Sequence, residues 1–166
     1  SIVGILFLVL GVIAAFVAIS QNFLRKMPLP VQLFPVSAQP TLVLSNPVGS
    51  IHIHRGSSDQ IEVRATKNIN GWLGSAYEGI VNSTQQGNVV NIGARSNYKW
   101  SYLGGLRSVD FDITVPEFSD IQIGGNAGTI KVEGISGRYQ VRTDAGTIQM
   151  LQGALQGQSR LSTSAG

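Results

Sequence analysis

Two histidines separated by one residue, His52 and His54, are the first candidates for chemistry in this 166-residue chain. On a β-strand, side chains at positions i and i+2 point to the same face, so both imidazoles can reach one metal ion, a common role for histidine. No third histidine, cysteine or paired carboxylate stands near them in sequence. An exposed strand face accounts for the pair, and no metal ligands are expected. Asp110 and Asp112 share a face in the same way, but they alternate with Phe111 and Ile113 and read as solvated strand charges. No nucleophile, base and orienting group are grouped anywhere along the chain. Neither an enzyme nor a cofactor is expected.

Three other patterns are weak. Gly124-Gly125-Asn126-Ala127-Gly128 is reminiscent of calcium-binding β-roll turns. It lacks their aspartate, and the glycine pair does not recur. The same glycines lead from one apolar alternation into another, so no helix N-terminus is available to hold a phosphate. Asn82-Ser83-Thr84 fits the glycosylation sequon, a pattern too short to be specific. Aromatic residues are more suggestive. Trp72 and Tyr77, then Tyr98, Trp100 and Tyr102, stand among Gly, Ser and Asn residues. The last three alternate and would project together from an extended segment. Such side chains either cover an open hydrophobic end as a lid or present a platform to a protein or glycan partner.

The elements that must position these residues are announced by a repeat. Asn126-Ala127-Gly128-Thr129-Ile130 recurs as Asp144-Ala145-Gly146-Thr147-Ile148, and Ser164-Ala165-Gly166 opens a third copy, so the steps are 18 and 20 residues. Val132 corresponds to Met150, Ile135 to Leu155 and Val141 to Leu161. A fixed period near 20 with short alternating segments and Gly-rich corners predicts a parallel β-helix, or β-solenoid, with one coil per copy. In that arrangement Ile130, Val132, Val141, Ile148, Met150 and Leu161 point into one dry interior. Further alternations occur at Ile51 and Ile53, at Ile61 and Val63, and from Val109 to Val115, where Pro116 ends the run. Residues 67–108 interrupt the period as an insertion holding a hairpin, with Ile80–Ser83 and Val89–Ile92 flanking Gln85-Gln86-Gly87-Asn88.

The N-terminal end differs in kind. Ile2 to Ile19 carries no charged side chain, and as a helix it rises about 27 Å, close to a hydrocarbon core of roughly 30 Å. Arg25 and Lys26 follow. A transmembrane helix within residues 1–26 is therefore expected, with Ile2 to Ile19 in contact with the lipid bilayer and a signal anchor favoured over a cleaved signal peptide. Pro28, Pro30, Pro35 and Pro40 then predict an extended spacer over 27–40, and the β domain occupies 41–166. The chain is expected to be a fragment that ends inside a coil.

Charge and cysteine content narrow the choice. The net charge is +3, but setting aside Arg25 and Lys26 leaves ten basic against nine acidic residues. No basic stripe exists to neutralise a row of phosphates, so nucleic acid is not an expected partner. With no cysteine there is no disulfide framework, and stability must come from the core.

Val109-Asp110-Phe111-Asp112-Ile113-Thr114-Val115-Pro116, followed by the two Ala-Gly-Thr-Ile segments, resembles the putative adhesin domain family of bacterial envelope proteins, of the auto-transporter adhesin head type. The resemblance covers roughly residues 40–166. It implies a right-handed β-helix in a non-enzymatic, membrane-tethered, extracytoplasmic protein, and it supplies no site residues. The function expected is adhesion or envelope interaction at the bacterial cell membrane, with self-association open to it. A membrane-bound polymerising scaffold of bactofilin type is the alternative.

Overall fold

The computed structural model describes residues 1–21, 24–70, 80–95, 105–155 and 157–165. Among the described residues one helix, α1 (Ile2–Gln21), precedes thirteen strands. The strands are β1 (Leu24–Pro28), β2 (Gln32–Pro35), β3 (Thr41–Ser45), β4 (Ile51–Arg55), β5 (Gln60–Asn70), β6 (Ile80–Gln86), β7 (Val89–Arg95), β8 (Gly105–Val115), β9 (Asp120–Glu133), β10 (Ser136–Gly137), β11 (Tyr139–Leu151), β12 (Ala154–Leu155) and β13 (Arg160–Thr163). Eleven of them form one sheet, whose main path runs β1-β5-β8-β4-β9-β3-β7-β6. The strands β11 and β13 extend from β9, and β2 adds to β5. The pair β10 and β12 stands apart.

The sheet is mixed and curled, and the expected parallel β-solenoid is not formed. Four pairings, β1·β5, β2·β5, β5·β8 and β6·β7, are antiparallel. The pairings among β3, β4, β7, β8, β9, β11 and β13 are parallel. Alternation of apolar and polar residues marks which face of a strand is buried, and it is the same for either strand direction. The repeat therefore reported a true register but not the direction of the surrounding strands. Ile148 lies beside Ile130 and Gly146 beside Gly128, whereas β5 runs against β8 from Glu62↔Thr114 to Asn70↔Gly105. The described residues of the segment expected as an insertion join the same sheet. Its hairpin forms as expected, β6 against β7, around Gly87 at φ 58°. A glycine there suits the positive φ that a two-residue hairpin turn demands.

The spanning helix is likewise not found. The described side chains of α1, Ile2 to Phe16, are exposed. No helix among the described residues is long and apolar enough to cross a membrane. From Leu24 the chain is strand, with Arg25 beside Ile69 and Lys26 beside Asn68, so these residues do not close a helix. Two strands, β1 and β2, are drawn from the proline-rich region and pair along β5.

One core fills the inside of the curl. Leu42, Leu44, Ile51, Ile53, Ile61, Val63, Val90, Ile92, Phe111, Ile113, Ile121, Ile130 and Tyr139 are buried in it, each at an alternate position of its strand. Of the six residues expected inside, Ile130, Val132 and Val141 are buried, Ile148 and Met150 pack partly against the core, and Leu161 is 41% exposed. The edge strand β13 has no described strand on its far side to cover Leu161. Two buried polar side chains tie separate parts of the chain together. The Asn46 amide donates to the Val109 carbonyl at 2.9 Å, and Asp120 accepts from the Arg138 backbone at 3.0 Å and its guanidinium at 2.9 Å.

Candidate functional site

Four parallel strands, β3, β9, β11 and β13, line up on their outer face a row that is apolar on β3 and polar on the other three. Val43 lies beside Gln122, Gln122 beside Gln140, and Gln140 beside Arg160. Leu42, Leu44, Ile121, Ile123 and Val141 on the same strands are buried, so the alternation that packs the core also forces the glutamines and Arg160 outward. A second row follows two residues on, with Ser45 beside Gly124 and Arg142 beside Ser162. Together these rows and the loop Gly157-Gln158-Ser159 line a groove of about 1250 Å³. Neighbouring strands lie roughly 4.8 Å apart, so the row offers amide and guanidinium donors at a regular spacing. Arg142 is 72% exposed and only 3.8 Å from the Asp144 carboxylate. No carboxylate among the described residues pairs with Arg160. The groove is thus a line of hydrogen-bonding groups with unneutralised positive charge at one end.

A second polar surface lies on β5, β8, β4 and β9. The expected pairing of His52 with His54 on one face is found, with ring centroids 4.8 Å apart. What separation in sequence hid is the company they keep across the sheet. His52 Nε2 is 2.8 Å from Glu133 Oε2, and His54 Nε2 is 2.7 Å from Asp112 Oδ1. Lys131 Nζ approaches Glu133 Oε1 at 2.7 Å. The hydrogen bonds from Lys131 and His52 hold the Glu133 carboxyl below its usual range. Asp112 is exposed, as its alternation with apolar residues indicated, whereas Asp110 is half-buried. It accepts from the Ser50 backbone N–H and hydroxyl, both at 2.9 Å, and from the Asn68 amide at 2.7 Å. Burial pushes the Asp110 carboxyl up, yet these hydrogen bonds and the charge of Lys26 outweigh it and lower its pKa. A short run of Asp and apolar residues gives no sign of this difference, because Ser50, just before β4, and Asn68, on β5, are distant in sequence.

The aromatic candidates Trp72, Tyr77, Tyr98, Trp100 and Tyr102 lie outside the described residues. The Gly124-Gly125 segment runs within β9, leading from its first half beside β3 to its second beside β4. Asn82, Ser83 and Thr84 lie on β6 beside β7.

The same architecture occurs in a crystal structure of a "putative cell adhesion protein" from Clostridium sporogenes. The two superpose with a TM-score of 0.54 at 12% identity, over 82% of this chain and 68% of that one. A "putative adhesin" from Bacteroides fragilis gives a TM-score of 0.42 at 10% identity, and one from Parabacteroides merdae gives 0.38 at 9%. This chain spans 62% and 57% of those two proteins, and their similarity is too slight to carry further weight. No protein-family model and no curated protein matches the chain. An adhesin-like fold is therefore shared with the first structure, and at such identity a shared fold does not transfer a ligand.

Proposed function

We propose that this chain is a non-enzymatic adhesion module of the bacterial cell surface. In this reading the groove of β3, β9, β11 and β13 binds an extended, acidic glycan. The observation that carries the reading is the in-register row Gln122, Gln140 and Arg160. Amides match the paired donor and acceptor character of sugar hydroxyls, and the arginines at 142 and 160 favour carboxylate or phosphate groups on the chain. Parallel strands repeat the contact at a fixed step, which suits a polymer better than a compact substrate. The adhesin-like fold supports the class of function. No observation favours the polymerising scaffold.

The test is binding of the chain to a panel of neutral and acidic polysaccharides, with Gln140→Ala/Arg160→Ala alongside. Each lost charge-assisted hydrogen bond is worth about 1.5–3 kcal/mol, so the double variant should bind acidic glycans at least tenfold more weakly. Equal binding by both chains, or preference for neutral glycans, would overturn the reading.

A further inference from the structure

We infer that His52, His54 and Asp112 form a binding site for a zinc-class divalent cation, a second site distinct from the groove. Neither strand supplies three ligands alone. The two imidazoles come from β4, and the carboxylate comes from β8, where Asp112 lies directly beside His52. One donor atom from each of the three residues lies within 4.8 Å of the other two. Zinc bonds of about 2.0–2.1 Å in tetrahedral geometry place ligand atoms about 3.3 Å apart. Small side-chain rotations therefore suffice to close the site, without movement of the backbone.

The surroundings assign a nitrogen to each role. His52 Nε2 is engaged by Glu133 at 2.8 Å, which leaves Nδ1 turned toward Asp112 Oδ2 at 3.9 Å. A cation between them takes His52 Nδ1, His54 Nε2 and the Asp112 carboxylate. It replaces the 2.7 Å contact of His54 with Asp112. Glu133 then holds the opposite edge of the His52 ring and is itself held by Lys131 at 2.7 Å. Carboxylates that fix a ligating imidazole in this way raise its basicity and orient it. Two nitrogens and one carboxylate oxygen suit zinc better than magnesium, which demands octahedral oxygen ligands.

Three protein ligands leave a fourth position open. A cleft of about 380 Å³ adjoins the cluster, lined by His54, Arg55, Glu117, Glu133, Gly134 and Gln152. Its volume admits water or a single donor group from a molecule outside the chain. The side chains of His52 and His54 are 36% and 33% exposed, so the cation reaches the site from solvent without an opening motion.

The site is tested by isothermal titration of the whole chain with zinc and, separately, magnesium. Expected are one equivalent of zinc bound and no magnesium. His54→Ala should abolish binding, and Glu133→Gln should weaken it roughly 10- to 100-fold through loss of ring orientation. Asp144→Asn, on another surface, should bind as the parent does. Far-UV circular dichroism establishes that each variant is folded; if His54→Ala is not, Asp112→Asn takes its place with the same expectation. No saturable zinc binding, equal magnesium binding, or zinc binding indifferent to His54→Ala and Asp112→Asn would overturn the assignment. Glycan binding is scored independently, since none of these residues lines the groove.

Discussion

Tyr139 shows what one side chain contributes to this fold. It is completely buried, its hydroxyl donates to the Ile135 carbonyl, and its backbone N–H donates to Ser159 Oγ at 3.2 Å. Burial pushes the phenol up to about 12, against about 10 in an unfolded chain. The folded state keeps the proton longer, so this contribution to stability is intact below pH ~10 and is lost as pH rises toward the folded value. Urea unfolding across that window should show a fall in stability in the parent that is diminished in Tyr139→Phe. At neutral pH the same variant should be less stable by about 1 kcal/mol, the net worth of one hydrogen bond. An identical alkaline profile for both chains would show that the phenol is solvated. Nothing in the sequence marks Tyr139 as a fully buried aromatic. It was legible as an inward position of an alternating strand, and the capping by Ile135 and Ser159 depends on how β11 meets its neighbours.

At the scale of the element, the repeat was read correctly in register and wrongly in role. The Asn-Ala-Gly and Asp-Ala-Gly segments were expected as corners, but they run inside the long strands β9 and β11 with Gly128 beside Gly146. The glycine is needed there for close approach. At Gly146, φ is 143°, and an added Cβ would lie 2.0 Å from the Gly128 carbonyl oxygen. Gly146→Ala should therefore destabilise by about 1–3 kcal/mol from backbone strain alone. Gly124→Ala, where a Cβ meets nothing within 4 Å, should be nearly neutral. Chemical denaturation of the two variants separates them, and equal effects would mean that β9 and β11 are not packed in this register. The hairpin of β6 and β7 was legible because Gly87-Asn88 is a local turn signal. The antiparallel run of β5 against β8 was not, because its partners, from Glu62 with Thr114 to Asn70 with Gly105, are far apart in sequence and both strands carry the same alternation.

For the whole molecule, the sheet order decides which residues can act together. The His52–Asp112 juxtaposition requires β8 to lie between β4 and β5, and the groove requires β13 to add to β11. Sequence separation conceals both, and this is why the candidate sites were only half visible: the paired histidines could be read, their carboxylates could not. The absence of cysteine makes the topology easy to check. Glu62 and Thr114 are antiparallel neighbours on β5 and β8, and facing residues in such a pair stand about 4.5–5.5 Å apart, within disulfide range. Glu62→Cys/Thr114→Cys should close a disulfide on mild oxidation while retaining the parent circular dichroism spectrum. A stack of parallel coils would leave both thiols free.

The function proposed for this module depends on where a glycan sits. The most direct measurement is a titration of the isotopically labelled chain with the acidic polysaccharide that it binds best, followed by backbone amide resonances. Shifts should concentrate at Gln122, Gln140, Arg160 and Ser162, on the outer row of β9, β11 and β13. Shifts confined to β5 and β8, or spread evenly over the sheet, would contradict the account.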